Sequence, residues 1–461
     1  MTAMSRAASR APYRVPFAVP ELGFIEAVDR AADTGTIPGD AGPLLETVIA
    51  MLDELDRPDA HIDCIQVAGT NGKTSTARFT AAILAGEGLR TALYTSPQLV
   101  RYPERMEVEG SPVADAAFAH GVSAAFEAGS RVNARRVADG EPAYTITPFD
   151  LLTVAALVVF AEARVDVAVL EVGLGGRWDA TSATDPVAVA VTGIGLDHMR
   201  ILGSTLAEIA GEKAAIIKPG RAVVLGEGTH EPSVQAVMDA RCREAGVSPV
   251  VVSHEIVRLP QRLGGELRLR VPGAHAVYEV GAAKPAYQAQ NIACAVLLAE
   301  AYRARALDDV RLAASVGSCP TPGRFDVLRR EPLLLVDACH NPQSCENFVA
   351  SLEEIAPSRD ERPWALIAAL SDKDVVGILR VLAPAFPAFA VTATASERAL
   401  PVDELARLLR EELAREGRAD APVRVYPTVA GALGAFAQEG APLVAAGTIT
   451  LAGEVAGIVR G

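Results

Sequence analysis

The chain has 461 residues, 50% hydrophobic and 22% charged, enough to bury more than one core and long enough for two or three domains. With 43 Lys and Arg against 57 Asp and Glu its net charge is −14, which argues against a nucleic-acid coat or an anionic membrane surface as the main partner. No apolar run approaches the roughly 20 residues that cross a bilayer, and the cysteines at 64, 242, 294, 319, 339 and 345 lack metal-like pair spacing, so reduced thiols in a cytoplasm are the simplest account.

Taken in chain order, the N-terminal stretch carries Arg6, Arg10 and Arg14 but no apolar signal core, and residues 1–20 read as a flexible tail. The apolar run Ile65–Ala68 reads as a short buried strand and leads straight into Gly69-Thr70-Asn71-Gly72-Lys73-Thr74-Ser75. That segment has the parts of a phosphate-binding loop: glycines that let backbone N–H groups close around an anion, a lysine for the outer phosphates, and a hydroxyl for a metal. The full Walker pattern places another glycine at position 67, where this chain has Val67. Helix-like spacing follows over Thr74–Glu87, then a strand-like run over Thr91–Thr95 ending at Ser96-Pro97, then helical spacing over Asp150–Glu162.

Val165–Val172 reads as a strand that ends on Glu171 and enters the turn Gly173-Leu174-Gly175-Gly176-Arg177-Trp178-Asp179. A carboxylate at the carboxyl end of a core strand is where an α/β nucleotide site holds magnesium. The next strand, Val187–Thr192, leads to Gly195-Leu196-Asp197-His198, so an imidazole arrives at the same sheet edge. Helical spacing over Leu206–Ile217 contains Lys213, and Ile256–Val280 reads as a small antiparallel element.

Residues 318–324, Ser-Cys-Pro-Thr-Pro-Gly-Arg, interrupt regular structure and mark a hinge. Strand-like runs then resume at Leu333–Val336, Trp364–Ala369, Ala388–Thr392, Val423–Tyr426 and Leu443–Ala446. The expected fold class is α/β: a mostly parallel, phosphate-loop domain over 1–317, then a smaller Rossmann-like doubly wound domain over 325–461.

The segments Ala68–Lys73, Thr95–Leu99, Glu171–Ala180, Leu196–His198, Gly211–Ala214, Pro322–Phe325 and Asp337–Pro342 together resemble the folylpolyglutamate synthase and dihydrofolate synthase family of Mur-type ATP-dependent amide ligases. The chain departs from the family pattern at Gln98 (usually His), Trp178 (Leu), Ser182 (Asn) and Ala338-Cys339 (Gly-Ala). The resemblance implies a ligase that uses ATP and two magnesium ions to join L-glutamate to a pteroate or folate-type acid. Gly69, Thr70, Asn71, Gly72, Lys73, Thr74 and Ser75 would hold the phosphates, and the hydroxyl of Thr74 or Ser75 would contact one magnesium. Ser96, Glu171 and His198 would hold the second. Lys213 would be carbamylated or, on its residues alone, a helix-surface lysine with a packed stem.

The resemblance further implies that Arg324 reaches the ATP phosphates on domain closure, that Asp337 and Asn291 meet the nucleoside, and that His340 approaches the nucleotide or the amino acid. Phe149, Asp150 and the pair Trp178-Asp179 stand as candidates for a pterin-like ring, with a packed indole as the plain alternative for Trp178. Asp372-Lys373 stands as a candidate near glutamate. A monomer in the cytoplasm is expected. A Mur ligase acting on a nucleotide-linked peptide, a paralogue amidating a different acid, and a phosphate-loop regulatory ATPase without ligation remain alternatives.

Overall fold

The computed structural model describes residues 12–32 and 45–460. Their contacts separate into two compact units. One runs to Glu255 and adds Arg270–Val280 and Gln290–Cys319; the other combines Ile256–Leu269, Gly281–Ala289 and the chain from Pro320 onward.

In the first unit, β1 (Asp63–Ala68), β2 (Thr91–Tyr94), β3 (Met106–Val108), β4 (Ser111–Pro112), β5 (Val167–Glu171), β6 (Ala188–Gly193), β7 (Ala222–Gly228) and β8 (Val250–Val251) form one sheet. Their order is β4-β3-β2-β5-β1-β6-β7-β8. The β3 and β4 edge is antiparallel and the other pairings are parallel. Every residue of β1 and β5 is buried, which is why these strands read as mostly apolar runs rather than alternating ones, with the buried Gln66 satisfied by the hydroxyls of Thr181 and Ser182. Val67 pairs with Glu171 on one side and Ala190 on the other, so the carboxyl ends of the three central strands are level. Position 67 is therefore inside a central strand, where a β-branched residue fits, and the phosphate loop begins only at Gly69.

Helix Pro148–Glu162 is buried nearly all round. It starts two residues before the expected Asp150 because Pro148 occupies its first turn and Thr147 with Asp150 forms a capping box. Helix Leu206–Ala214 stops short of the expected Ile217, since Lys218 precedes Pro219 and a helix cannot continue comfortably there. The proposed flexible tail is corrected for its described half: Tyr13 is buried, and its hydroxyl donates to the Leu55 carbonyl at 2.7 Å. Residues 1–11 lie outside the described residues.

Strands β9 (Glu255–Arg258), β10 (Leu267–Pro272) and β11 (Val277–Ala282) form a three-stranded sheet in the order β11-β10-β9, and β10 alternates buried and exposed residues along its length.

The second unit is built on β12 (Asp326–Arg330), β13 (Leu333–Val336), β14 (Trp364–Ile367), β15 (Phe389–Thr392), β16 (Val423–Tyr426) and β17 (Leu443–Ala446). The order is β12-β13-β17-β14-β15-β16, with β12 antiparallel to β13 and the rest parallel. Helices Pro342–Ile355, Val375–Leu382 and Val402–Arg415 share one buried cluster with Leu335, Ile367, Phe389 and Val444. All six cysteines are buried and none forms a disulfide. Among the described residues no helix is long and apolar enough to cross a membrane.

Candidate active site

The loop between β1 and helix Lys73–Gly86 is fixed by lack of space. Gly69 has φ +151°, and a Cβ there would lie 2.0 Å from Thr192 Oγ1. Gly72 has φ +82°, and a Cβ there would lie 2.2 Å from Asn291 Oδ1. Neither position tolerates a side chain, for conformational and for steric reasons. The Thr192 hydroxyl donates to the Asn71 carbonyl at 2.6 Å, the Thr70 amide donates to the Gly193 carbonyl at 2.8 Å, and the Gly195 amide donates to Thr70 Oγ1 at 3.0 Å. The end of β6 thus holds the loop from the side. Lys73 Nζ folds back onto the carbonyls of Gly69 and Thr70 at 3.0 and 3.1 Å, placing an ammonium over the loop at a helix N-terminus. Such an arrangement suits polyphosphate.

Glu171 closes the other side. Its Oε1 accepts from the Thr74 hydroxyl at 2.7 Å, and Oε2 accepts from the Ser96 amide at 3.3 Å. Burial raises its pKa, opposed by Lys73, the Thr74 and Ser96 hydrogen bonds, and Arg78. Of the two loop hydroxyls, that of Thr74 meets the carboxylate, whereas Ser75 is buried. Among the described residues no three His, Cys, Asp or Glu side chains gather as a metal cluster. A carboxylate with hydroxyls beside a phosphate cradle is nevertheless the oxygen donor set that suits magnesium, which keeps waters and takes few protein ligands.

His198 sits in the left-handed region at φ 48° and begins the short helix Met199–Leu202. Its side chain is more than half exposed, and its charged partner among the described residues is Asp197, 3.7 Å from Nε2. No bond joins it to Glu171, yet its loop is anchored to Thr70 through Gly195. Lys213, in the last turn of helix Leu206–Ala214, is only 5% exposed. Burial and repulsion by Lys73 bring its pKa down to about 8, against the attraction of Asp197 and Asp179. Lys73, Glu171, Lys213 and Asp197 therefore share one electrostatic neighbourhood.

The glycine-rich turn after Glu171 serves packing. A Cβ on Gly173 would lie 2.5 Å from Phe149 Cζ, and one on Gly176 would lie 2.9 Å from the Glu212 carbonyl. Asp179 ties the turn together, accepting from the Leu174 amide at 2.9 Å and the Thr181 amide at 3.0 Å. Asp150 is likewise engaged with Thr147, whose amide and hydroxyl lie 3.0 and 2.8 Å from its Oδ2. Phe149 stacks at 5.9 Å from Tyr94. Both acids thus stabilise backbone turns, and burial raises the pKa of each. Trp178 is not the packed indole of the plain alternative, being 64% exposed. Ser182 joins Gln66 Nε2 at 2.8 Å to the Gly176 carbonyl at 2.5 Å, a job internal to the turn.

In the second unit, Asp337 at the end of β13 accepts from the Phe325 and Cys339 amides, both at 2.9 Å. The Ala338 amide donates to the Gly323 carbonyl at 2.9 Å. These bonds hold the turn that presents the exposed Arg324. Burial pushes Asp337 up to about 6, opposed by Arg324 and the backbone donors. His340 Nδ1 lies 2.9 Å from the Ala338 carbonyl, and Asn341 caps the helix that follows. Asp372 pairs with Lys373 at 3.3 Å and Arg398 at 3.4 Å. Asn291 is buried against Gly72 in the first unit, at the phosphate loop.

Sequence reading missed Thr192 and Asp197. A threonine before a glycine at the end of a strand was the available signal for the first; only the fold reveals that Asp197 acts on Lys213.

A nucleotide cradle at the carboxyl edge of a parallel sheet, followed by a doubly wound unit, defines an ATP-dependent ligase architecture of the Mur type. The Mur ligase middle domain family matches residues 67–241, and the Mur ligase glutamate ligase domain family matches residues 323–449. The dihydrofolate synthase/folylpolyglutamate synthase of Mycobacterium tuberculosis is 34% identical over 385 residues, covering 79% of this chain and 77% of that protein. The crystal structure of the Mycobacterium tuberculosis folylpolyglutamate synthase complexed with ADP and AMPPCP superposes with a TM-score of 0.74 at 31% identity, covering 91% of this chain and 96% of that one. The Thermotoga maritima folylpolyglutamate synthase superposes with a TM-score of 0.79 at 25% identity, covering 95% and 96%. The chain belongs to the dihydrofolate synthase/folylpolyglutamate synthase family.

Thr192→Val keeps the shape and removes the bond to Asn71. We expect about 1–3 kcal/mol of lost stability with weaker ATP binding, read by thermal melting and nucleotide titration. An unchanged melting temperature together with unchanged affinity would remove Thr192 as the brace of the loop.

Proposed function

We propose that the protein is an ATP-dependent ligase that adds L-glutamate to a folate-type carboxylate, as dihydrofolate synthase, as folylpolyglutamate synthase or as both. The observation that carries this reading is the phosphate loop with Lys73 folded over it and the Glu171 carboxylate taking the Thr74 hydroxyl beside it. Family membership supports it.

A carboxylate acylates amines poorly. Transfer of the γ-phosphoryl group to the acid gives an acyl phosphate and ADP; attack by the glutamate amine then forms the amide and expels phosphate. Positioning and charge neutralisation do most of this work. Residues 69–75 cradle the phosphates, and Lys73 leaves the loop carbonyls to balance β- and γ-phosphate charge. In this reading Thr74 or Ser75 would contact one magnesium, and Ser96, Glu171 and His198 would hold a second. Magnesium, when bound, supplies the positive charge that an acidic chain lacks. Arg324 is assigned to the phosphates, with Asp337 holding its turn and residues 318–324 as the hinge. Asn291 and His340 are assigned to the nucleotide, and Phe149 with Trp178 to the aromatic part of the acid. The buried cysteines, none of them in a disulfide, favour a reducing cytoplasm.

Lys213 fits carbamylation. Its neutral amine would add to carbon dioxide, losing a proton, to give an anion where a buried cation is costly. With a pKa of about 8, about one in ten of these amines is uncharged near pH 7 and about half near pH 8.

With ATP, magnesium and glutamate, the purified protein is expected to convert dihydropteroate, tetrahydrofolate or both to products heavier by one glutamyl residue; ATP hydrolysis indifferent to both acid and glutamate would instead indicate a regulatory ATPase. Lys73→Ala should lower turnover by roughly a hundredfold or more while the circular dichroism spectrum is retained. Near-normal activity in that variant would remove the phosphate-loop assignment. Under 13C-labelled bicarbonate we expect a carbamate carbon signal that grows as pH rises through 8 and is absent in Lys213→Met. No signal in the wild type at pH 8 contradicts the modification.

A further inference from the structure

Arg324 is carried by a turn that is held at both of its ends. Thr321-Pro322-Gly323-Arg324 has the residues of a type II turn, a proline and then a glycine at φ 66°, and the Arg324 amide donates to the Thr321 carbonyl at 2.9 Å. Phe325 follows in the left-handed region at φ 47°, a conformation that an aromatic residue keeps only where its surroundings impose it. Its ring is buried and its amide is bound to Asp337. Arg324 is thus an exposed residue between buried neighbours.

Asp337 holds one end of the turn, and Lys284 holds the other. Lys284 lies in the connection between β11 and helix Gln288–Arg303 and is only 7% exposed. Its Nζ donates to Thr321 Oγ1 at 2.5 Å, across 37 residues of chain. Thr321 Oγ1 in turn donates to the Arg324 carbonyl at 2.9 Å. An ammonium has donors only, so the hydroxyl must accept from it, and its single hydrogen is left to point at that carbonyl. A charged donor strengthens the bond, and consecutive bonds in a buried site polarise one another. The relay from Lys284 through Thr321 therefore fixes the peptide from which the Arg324 side chain springs.

We propose that Lys284 is a positioning residue for Arg324, acting through the Thr321 hydroxyl to aim the guanidinium at the triphosphate. This rests on the ligase reading above, in which Arg324 takes the phosphates. A long side chain loses rotamer freedom when it binds, and a fixed backbone beneath it reduces what remains to be ordered. Placement matters steeply, since a shift of about 1 Å in a positioning group can lower a rate on the order of a hundredfold.

The test is a double-mutant cycle of Lys284→Met with Arg324→Ala, read as kcat/KM for ATP in the glutamylation of dihydropteroate or tetrahydrofolate. Lys284→Met keeps the stem and removes the ammonium. It is expected to lower kcat/KM for ATP roughly tenfold when Arg324 is present and less than about twofold in the Arg324→Ala background, where nothing is left to aim. A merely structural role would give the same loss in both backgrounds. Thr321→Val, which removes only the relaying hydroxyl, should reproduce the pattern and serves in its place if Lys284→Met does not fold; Thr321→Ser should restore wild-type behaviour. A wild-type kcat/KM in the folded variant, or equal losses in both backgrounds, overturns the Lys284 assignment and leaves the ligase reading standing. A wild type that glutamylates neither acid overturns the ligase reading. The cycle is then read in the dissociation constant of a magnesium-bound non-hydrolysable ATP analogue, where the same dependence on Arg324 is expected and equal losses overturn the assignment.

Discussion

The site depends on the absence of space behind the phosphate loop. Thr192 from β6 and Asn291 from helix Gln288–Arg303 occupy the positions where side chains on residues 69 and 72 would project. The loop must therefore pass as bare backbone, and its shape is set by its neighbours before any nucleotide arrives. Because Thr192 and Gly193 also bond the loop, the cradle inherits the rigidity of the buried, parallel central strands. A preformed cradle of N–H groups binds anions without spending affinity on ordering itself.

Electrostatics builds on that frame. Two ionisable groups around the loop are pushed toward neutrality by burial, Glu171 upward and Lys213 downward, and Lys73 acts on both. Lys73 favours the charged carboxylate and disfavours the second ammonium. Opposed shifts of this kind in one neighbourhood are what a site for highly charged ligands produces, since its groups are arranged for partners that are also charged. The second unit shows a milder form: Asp337 is buried, yet two amides and Arg324 favour its charge, and the result is a fixed turn with an exposed guanidinium.

Much of this was legible in the sequence. The apolar runs of β1 and β5 announced a parallel sheet, Gly69 and Gly72 announced the loop, and Glu171 announced the acidic strand end, because burial and backbone conformation constrain residue type strongly there. Val67 departs from the Walker pattern because, as the run Ile65–Ala68 already indicated, it belongs to the central strand and not to the loop. Other residues misled or stayed silent. Asp150 and Asp179 have the look of substrate-binding acids, but local capping explains their bonds, and nothing in residue type separates the two uses. Trp178 offered no sign of its exposure. Thr192 acts through contacts with the phosphate loop made only by folding, and its place before a glycine at a strand end was the one faint signal of it. Glu104 sits in sequence among ordinary charged residues, although its carboxylate orders a whole loop.

The central claim is that one triphosphate and its cation are held jointly by the loop and the acidic strand end. The most direct measurement is a crystal structure of this chain with magnesium and a non-hydrolysable ATP analogue. The account predicts phosphate oxygens on the amides of residues 71–75, Lys73 Nζ moved from the loop carbonyls onto the phosphates, and a metal about 2.1 Å from Thr74 Oγ1 beside Glu171. Phosphates bound away from this loop, or a metal remote from both Thr74 and Glu171, would contradict it.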